Sequence, residues 1–79
     1  MTRTATVRTA VADPELVAAC VRPDNTAEMT TSVEDGCVVT RVERDDTAGL
    51  QSTVDDYVVN LTVATEVAQA ADRHNTHQS

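Results

Sequence analysis

MTTSVEDGCVVTRV, residues 29–42, folds back on itself about one dipeptide, Asp35-Gly36. Asp-Gly tolerates the positive φ angles that a two-residue type I′ hairpin turn requires. Folding about that turn sets Val33 opposite Val38, Thr31 opposite Thr40 and Met29 opposite Val42. All six side chains then point to one face, so the register checks itself. The other face carries Glu28, Thr30, Ser32, Arg41 and Glu43. That is a wet surface, and helices can cover only the apolar side.

Toward the N-terminus, Arg3 to Thr9 alternates, with Ala5, Val7 and Thr9 on one side and Thr4, Thr6 and Arg8 on the other. This is the period of a half-buried strand. Asp13-Pro14-Glu15 combines an N-cap acceptor, a proline preset for the first helical position and a carboxylate at the positive end of the helix dipole. A short helix carrying Leu16, Val17, Cys20 and Val21 begins there and ends at Arg22-Pro23, with Pro23-Asp24-Asn25 as a loop.

Beyond Arg44-Asp45-Asp46-Thr47 the period becomes helical. At about 100° per residue, Leu50, Val54, Tyr57, Leu61, Ala64 and Ala68 stay within roughly 40° of one line, which faces the sheet. Val59, Val63, Val67 and Ala70 gather on the far side, where Ser52, Asp55 and Asp56 occupy the first two turns. After Ala71 the pattern is lost. The expected architecture is a single α+β domain over residues 1–71, ordered strand-helix-strand-strand-helix, with a three-stranded antiparallel sheet and two helices packed on one face. A polar, fraying, disordered tail is expected over 72–79.

A chain of 79 residues buries a thin core. Val, Leu, Ala and Thr must build it, because Tyr57 is the one aromatic residue. The net charge is −7, and all six basic residues are arginines: Arg3, Arg8, Arg22, Arg41, Arg44 and Arg73. Acid excess without lysine predicts a salt-rich cytoplasm, as in a halophilic archaeon, where screening over ~3 Å at 1 M salt removes the self-repulsion of such a surface. Bulk attraction to a phosphate backbone is excluded, since that comes from Lys and Arg displacing counterions. Cys20 and Cys37 are too far apart for a C-x-x-C site and read as small, reduced, apolar residues. No apolar signal segment is evident, so a cytoplasmic protein without membrane association is expected. Asn60-Leu61-Thr62 matches a glycosylation sequon inside a helix of such a chain and is discarded.

The far stripe of the second helix needs an occupant. From Ala48 to Ala71 that helix is about 36 Å long, whereas a domain of this size is about 30 Å across. Leaving Val59, Val63 and Val67 in water forgoes roughly 1.5–3 kcal/mol each, a large share of the 5–15 kcal/mol that typical domains possess. The first helix has barely ten residues and covers only part of a helix twice its length. A helix-helix interface with another chain is therefore expected on Val59, Val63 and Val67.

The order of elements, with "RPDN" after the first helix, the "EDGCVVTRVER" hairpin and "GLQSTVDDYVVNL" opening the second helix, resembles the CTAG/Pcc family. Members of that family are the small dimerisation subunits of the KEOPS complex. The likeness runs from about Thr4 to Ala70 and lies in the order and spacing of its motifs. It implies a non-catalytic subunit that pairs with itself, or with a paralogue, through its sheet and helices. Its helices would dock the catalytic threonylcarbamoyl-transferase subunit of an assembly that makes threonylcarbamoyladenosine in tRNA. No cofactor is implied, and tRNA is reached indirectly through the complex. The carried-over positions are Leu50, Tyr57, Val58 and Leu61, with Arg22-Pro23-Asp24 in the loop. Tyr57 and Val58 thereby join Val59, Val63 and Val67 as expected docking residues. Relatives often carry a basic residue near Gln51 and Asn-Ser in place of Asp55-Asp56, a difference that argues against direct tRNA contact by this helix.

Two other classes are weighed. The same element order occurs in K-homology RNA-binding modules, which clamp backbone through a G-x-x-G loop. Here the glycines are Gly36 and Gly49, neither in such a loop. Arg8 and Arg41 on the open side of the sheet are the candidate tRNA contacts, although pairing with Glu28 and Glu43 accounts for them more simply. A further alternative is another kind of small acidic dimeric interaction domain. For an enzyme, Asp45-Asp46, Asp55-Asp56, His74 and His77 are the available groups. Helical neighbours point about 100° apart, so Asp55 and Asp56 are not posed as a dyad. No nucleophile with an orienting base, phosphate-cradling loop or metal spacing is present, and no catalytic role is expected.

Overall fold

The protein's structure is a computed structural model that describes residues 1–78, with side-chain surroundings through Ala71. Strand β1 is Arg3–Ala10, helix α1 Pro14–Val21, strand β2 Met29–Glu34, strand β3 Cys37–Arg44 and helix α2 Thr47–Gln78. Between α1 and β2 the expected loop begins as a 3-10 turn, Arg22–Asp24. The tail expected over 72–79 falls on residues whose side chains lie outside the described set.

The strands form one antiparallel sheet in the order β1-β3-β2. β1 and β2 flank β3 and run parallel to each other, a split β-α-β arrangement. The hairpin has the register that its turn dictates, Val33 opposite Val38, Thr31 opposite Thr40 and Met29 opposite Val42. Asp35 and Gly36 supply the positive φ angles, 51° and 77°. β1 pairs with β3 without a break from Arg3↔Arg44 to Ala10↔Cys37, with no bulge along it.

Asp13 caps α1, its Oδ1 accepting from the Leu16 amide at 3.3 Å. The buried residues of α1 are Val17, Ala18 and Val21. Together with half-buried Pro14 they make an i, i+3, i+4, i+7 line, the apolar stripe of a surface helix. Leu16, counted among the apolar residues of this helix, lies off that line and is exposed, while Ala18 is fully buried. Asp46 caps α2, its carboxylate accepting from the Gly49 amide and its carbonyl from the Leu50 amide.

The core joins Val17, Ala18 and Val21 to Val38 of the sheet and to Tyr57, Leu61, Ala64 and Ala68 of α2. The inward stripe of α2 follows its period from Tyr57 to Ala68, whereas Leu50 and Val54, expected on the same stripe, are only half-buried in the first turns of the helix. One polar chain crosses this core. Asn25 Nδ2 donates to Thr31 Oγ1 at 2.7 Å, the Thr31 and Thr40 hydroxyls are 2.8 Å apart, and Thr40 Oγ1 donates to the Tyr57 hydroxyl at 2.6 Å. Asn25 Oδ1 is buried and has no partner among the described residues. The chain links the loop after α1, both hairpin strands and α2, and it satisfies Thr40, which is fully buried on β3.

Candidate docking surface

Val59, Val63 and Val67 are 62%, 54% and 52% exposed on the outer side of α2. Spacing of i, i+4, i+8 makes them one ridge along the helix, the kind that interdigitates with the i±4n ridge of a second helix. α1 packs against α2 but leaves this ridge open, so the protein's own fold does not cover it. Ala70 is also exposed, one turn beyond the ridge.

The two docking positions that came from the resemblance fall elsewhere. Tyr57 is 1% exposed. Its ring belongs to the inward stripe with Leu61 and Ala64, and its hydroxyl is held by Thr40, so it has no surface to offer a partner. Burial raises its pKa above the ordinary 10.0, partly offset by the Thr40 hydrogen bond. Val58 is exposed, but at about 100° per residue it lies some 140° around the helix from Val63 and takes no part in the ridge.

Carboxylates border the ridge. Asp55 and Asp56 lie one turn before Val59, and Glu66 lies one turn after Val63; all three are exposed. From Thr47 to Ala71 the helix has no basic residue. Asp56 and Val59 also line a cleft of about 480 Å³ with Asp24, Met29, Arg44 and Asn60. The arginine there is occupied, its Nε 3.1 Å from Glu28 and its Nη1 donating to Thr53 Oγ1 at 2.8 Å. Among the described residues the ion pairs engage Arg8, Arg41 and Arg44, and none involves Asp24, Asp55, Asp56 or Glu66.

The other candidate surface is the open side of the sheet, where Arg8 and Arg41 both lie. Arg41 pairs with Glu43 at 3.3 Å, one of the partners expected for it. Arg8 instead reaches Asp35 in the hairpin turn at 3.8 Å, and Glu28 goes to Arg44. Strand parity sets the face of a side chain but not which carboxylate its length will reach. Val39, central on this face between Arg8 and Ser32, is buried although no helix covers it. Cys20 and Cys37 are free thiols, both half-buried. Among the described residues no group of three or more His, Cys, Asp or Glu is placed to hold a metal ion, and no helix is long and apolar enough to cross a membrane.

Compared with family models, curated proteins and solved structures, the chain matches none. Its functional reading therefore rests on its own residues and on the motif resemblance.

Proposed function

We propose that the protein is a non-catalytic interaction subunit of the KEOPS type, which pairs with a second copy or a paralogue and docks a threonylcarbamoyl-transferase subunit through α2. The observation that carries this reading is the Val59-Val63-Val67 ridge, left in water on a helix whose opposite side buries Tyr57, Leu61, Ala64 and Ala68 in the core. Three half-exposed valines on one line are the signature of a helix-in-groove or helix-on-helix contact. The resemblance of "RPDN", "EDGCVVTRVER" and "GLQSTVDDYVVNL" to the Pcc family supplies the identity of the partner.

Self-pairing has its own support. β1 ends the sheet with eight regular residues and no proline or bulge, so one row of its backbone groups is free to pair. Ala5, Val7 and Thr9 are only half-buried along it. Halophilic character, cytoplasmic location and contact with tRNA only through the assembly complete the reading.

The experiment is co-purification of the tagged chain with the transferase subunit encoded in the same genome, in molar KCl. Stoichiometric recovery of that subunit supports the reading. Recovery of RNA without it points to the K-homology class instead and removes the KEOPS assignment.

A further inference from the structure

The open ridge has three conceivable kinds of occupant: a second copy of this chain, a nucleic acid or lipid surface, and a different protein. Charge at contact distance, the part that screening over ~3 Å in molar salt leaves, decides among them. Every ionised side chain on α2 from Thr47 to Ala71 is a carboxylate, namely Asp55, Asp56 and Glu66, and these border the valines at one end and along one flank. Asp24, on the cleft wall with Asp56 and Val59, adds a fourth acid to the same rim. None of the four is neutralised within the described part of the chain.

Area makes the rim matter. A standard interface buries ~800 Å² on each partner, and three part-exposed valines are a fraction of that. Whatever seats on the ridge must also cover its rim, and it will be selected by the sign of charge there. A second copy, in either direction of pairing, brings three more carboxylates and no cation over the same stretch of helix. Phosphate-bearing surfaces are repelled for the same reason. What fits is a helix that carries an aliphatic i, i+4, i+8 ridge with arginine or lysine beside it.

We infer that the outer face of α2 docks a basic-flanked amphipathic helix of a different protein, with an apolar ridge on Val59, Val63 and Val67 and cationic side chains over Asp56, Asp24 and Glu66. This rests on the reading that α2 docks a partner, and it assigns that face to the hetero-partner while leaving self-pairing to the sheet.

Two synthetic peptides test it, both built on one aliphatic ridge, the first flanked by arginine and the second by glutamate. Each is titrated into the isotope-labelled full chain at the lowest salt at which circular dichroism shows the fold intact. The arginine peptide should shift the amides of Val59, Val63 and Val67 saturably, and the glutamate peptide should not bind. Asp56→Asn with Glu66→Gln, both at exposed positions, should weaken the arginine peptide by about tenfold, the size expected for loss of 1.4 kcal/mol. Val63→Asp should abolish binding while the chain keeps its fold and its mass by light scattering.

Equal affinity for the two peptides would overturn the inference, as would shifts that map away from the ridge. Dissociation of a dimer by Val63→Asp would hand the face to a second copy. Should Val63→Asp release the transferase subunit while neither peptide binds, only the charge rule fails and the docking reading stands. Should the transferase bind Val63→Asp normally while the arginine peptide binds the ridge, the inference about the ridge stands and its assignment to that partner fails.

Discussion

Val63 and Ala64 are consecutive residues of α2 that face opposite ways: Ala64 is 4% exposed against the sheet and α1, and Val63 is 54% exposed in water. A carboxylate introduced at the first site has nowhere to be solvated, and one at the second is hydrated as readily as Asp56. Ala64→Asp should therefore cost several kcal/mol by burying an unpaired charge, enough to unfold a marginal domain. Val63→Asp should change the stability of the isolated chain by no more than about 0.5 kcal/mol, as exposed substitutions do. Thermal melts in molar KCl measure both. Equal destabilisation would place the ridge in the protein's own core.

That contrast was legible because a helix has one period and Leu50, Val54, Tyr57, Leu61, Ala64 and Ala68 keep it. The hairpin was legible for a similar reason, since one Asp-Gly turn fixes every pair from Val33↔Val38 to Met29↔Val42. Tyr57 shows where the two kinds of evidence part. Its own periodicity places it with Leu61 on the inner stripe, whereas the resemblance placed it at the partner surface, and the buried hydroxyl on Thr40 follows the periodicity. Arg8 was placed on the right face with the wrong partner, because an arginine reaches several carboxylates and only the folded turn brings Asp35 within range. The cleft that joins Asp24 to Asp56 had no local signal, as it unites a loop and a helix separated by 32 positions (56 − 24).

Gly49 in the first turn of α2 is a place where better helix propensity should fail to stabilise. Alanine is favoured over glycine by about 1 kcal/mol inside a helix. A Cβ here, however, would lie 3.0 Å from the capping Asp46 carboxylate oxygen and 3.1 Å from Arg44 Nη2. The Arg44 guanidinium cannot easily retreat, being tied to Glu28 and Thr53. Gly49→Ala should leave the melting temperature unchanged or slightly lower. In an Arg44→Ala background, where one side of that crowding is gone, the same substitution should be more favourable by up to about 1 kcal/mol, and a double-mutant cycle measures the difference. Simple additivity would mean that Arg44 does not crowd the site.

Salt should stabilise this protein. Thirteen acids stand against six arginines, and a net charge of −7 on a short chain repels itself in dilute buffer. At 1 M salt the screening length falls to ~3 Å, so this repulsion is removed while contact pairs such as Arg44-Glu28 at 3.1 Å survive in part. The melting temperature should climb between dilute buffer and molar KCl. KCl is the salt to use, because a sulfate would also strengthen apolar burial and confuse the cause. A flat response would remove the halophilic reading of the composition.

Alkaline pH offers a test with a built-in probe, since Tyr57 is the only tyrosine. Burial of its ring and hydroxyl disfavours the phenolate, so its pKa in the fold lies above the ordinary 10.0. The unfolded chain then releases this proton at a lower pH than the folded one. Stability from the neutral phenol is fully present below about pH 10 and is lost as pH rises from there through the folded value. Tyrosinate absorbance should accordingly appear above pH 10 and in step with loss of helical circular dichroism. Tyr57→Phe gives the control. It removes the hydrogen bond that Thr40 donates, costing about 0.5–1.5 kcal/mol at neutral pH, and Thr40 keeps its contact with Thr31. Having no proton to lose, the variant should show a weaker decline above pH 10 than the parent. If Tyr57 ionises at its ordinary value while the helix signal is unchanged, water reaches the hydroxyl in the folded protein and the chain from Asn25 to Tyr57 is not closed.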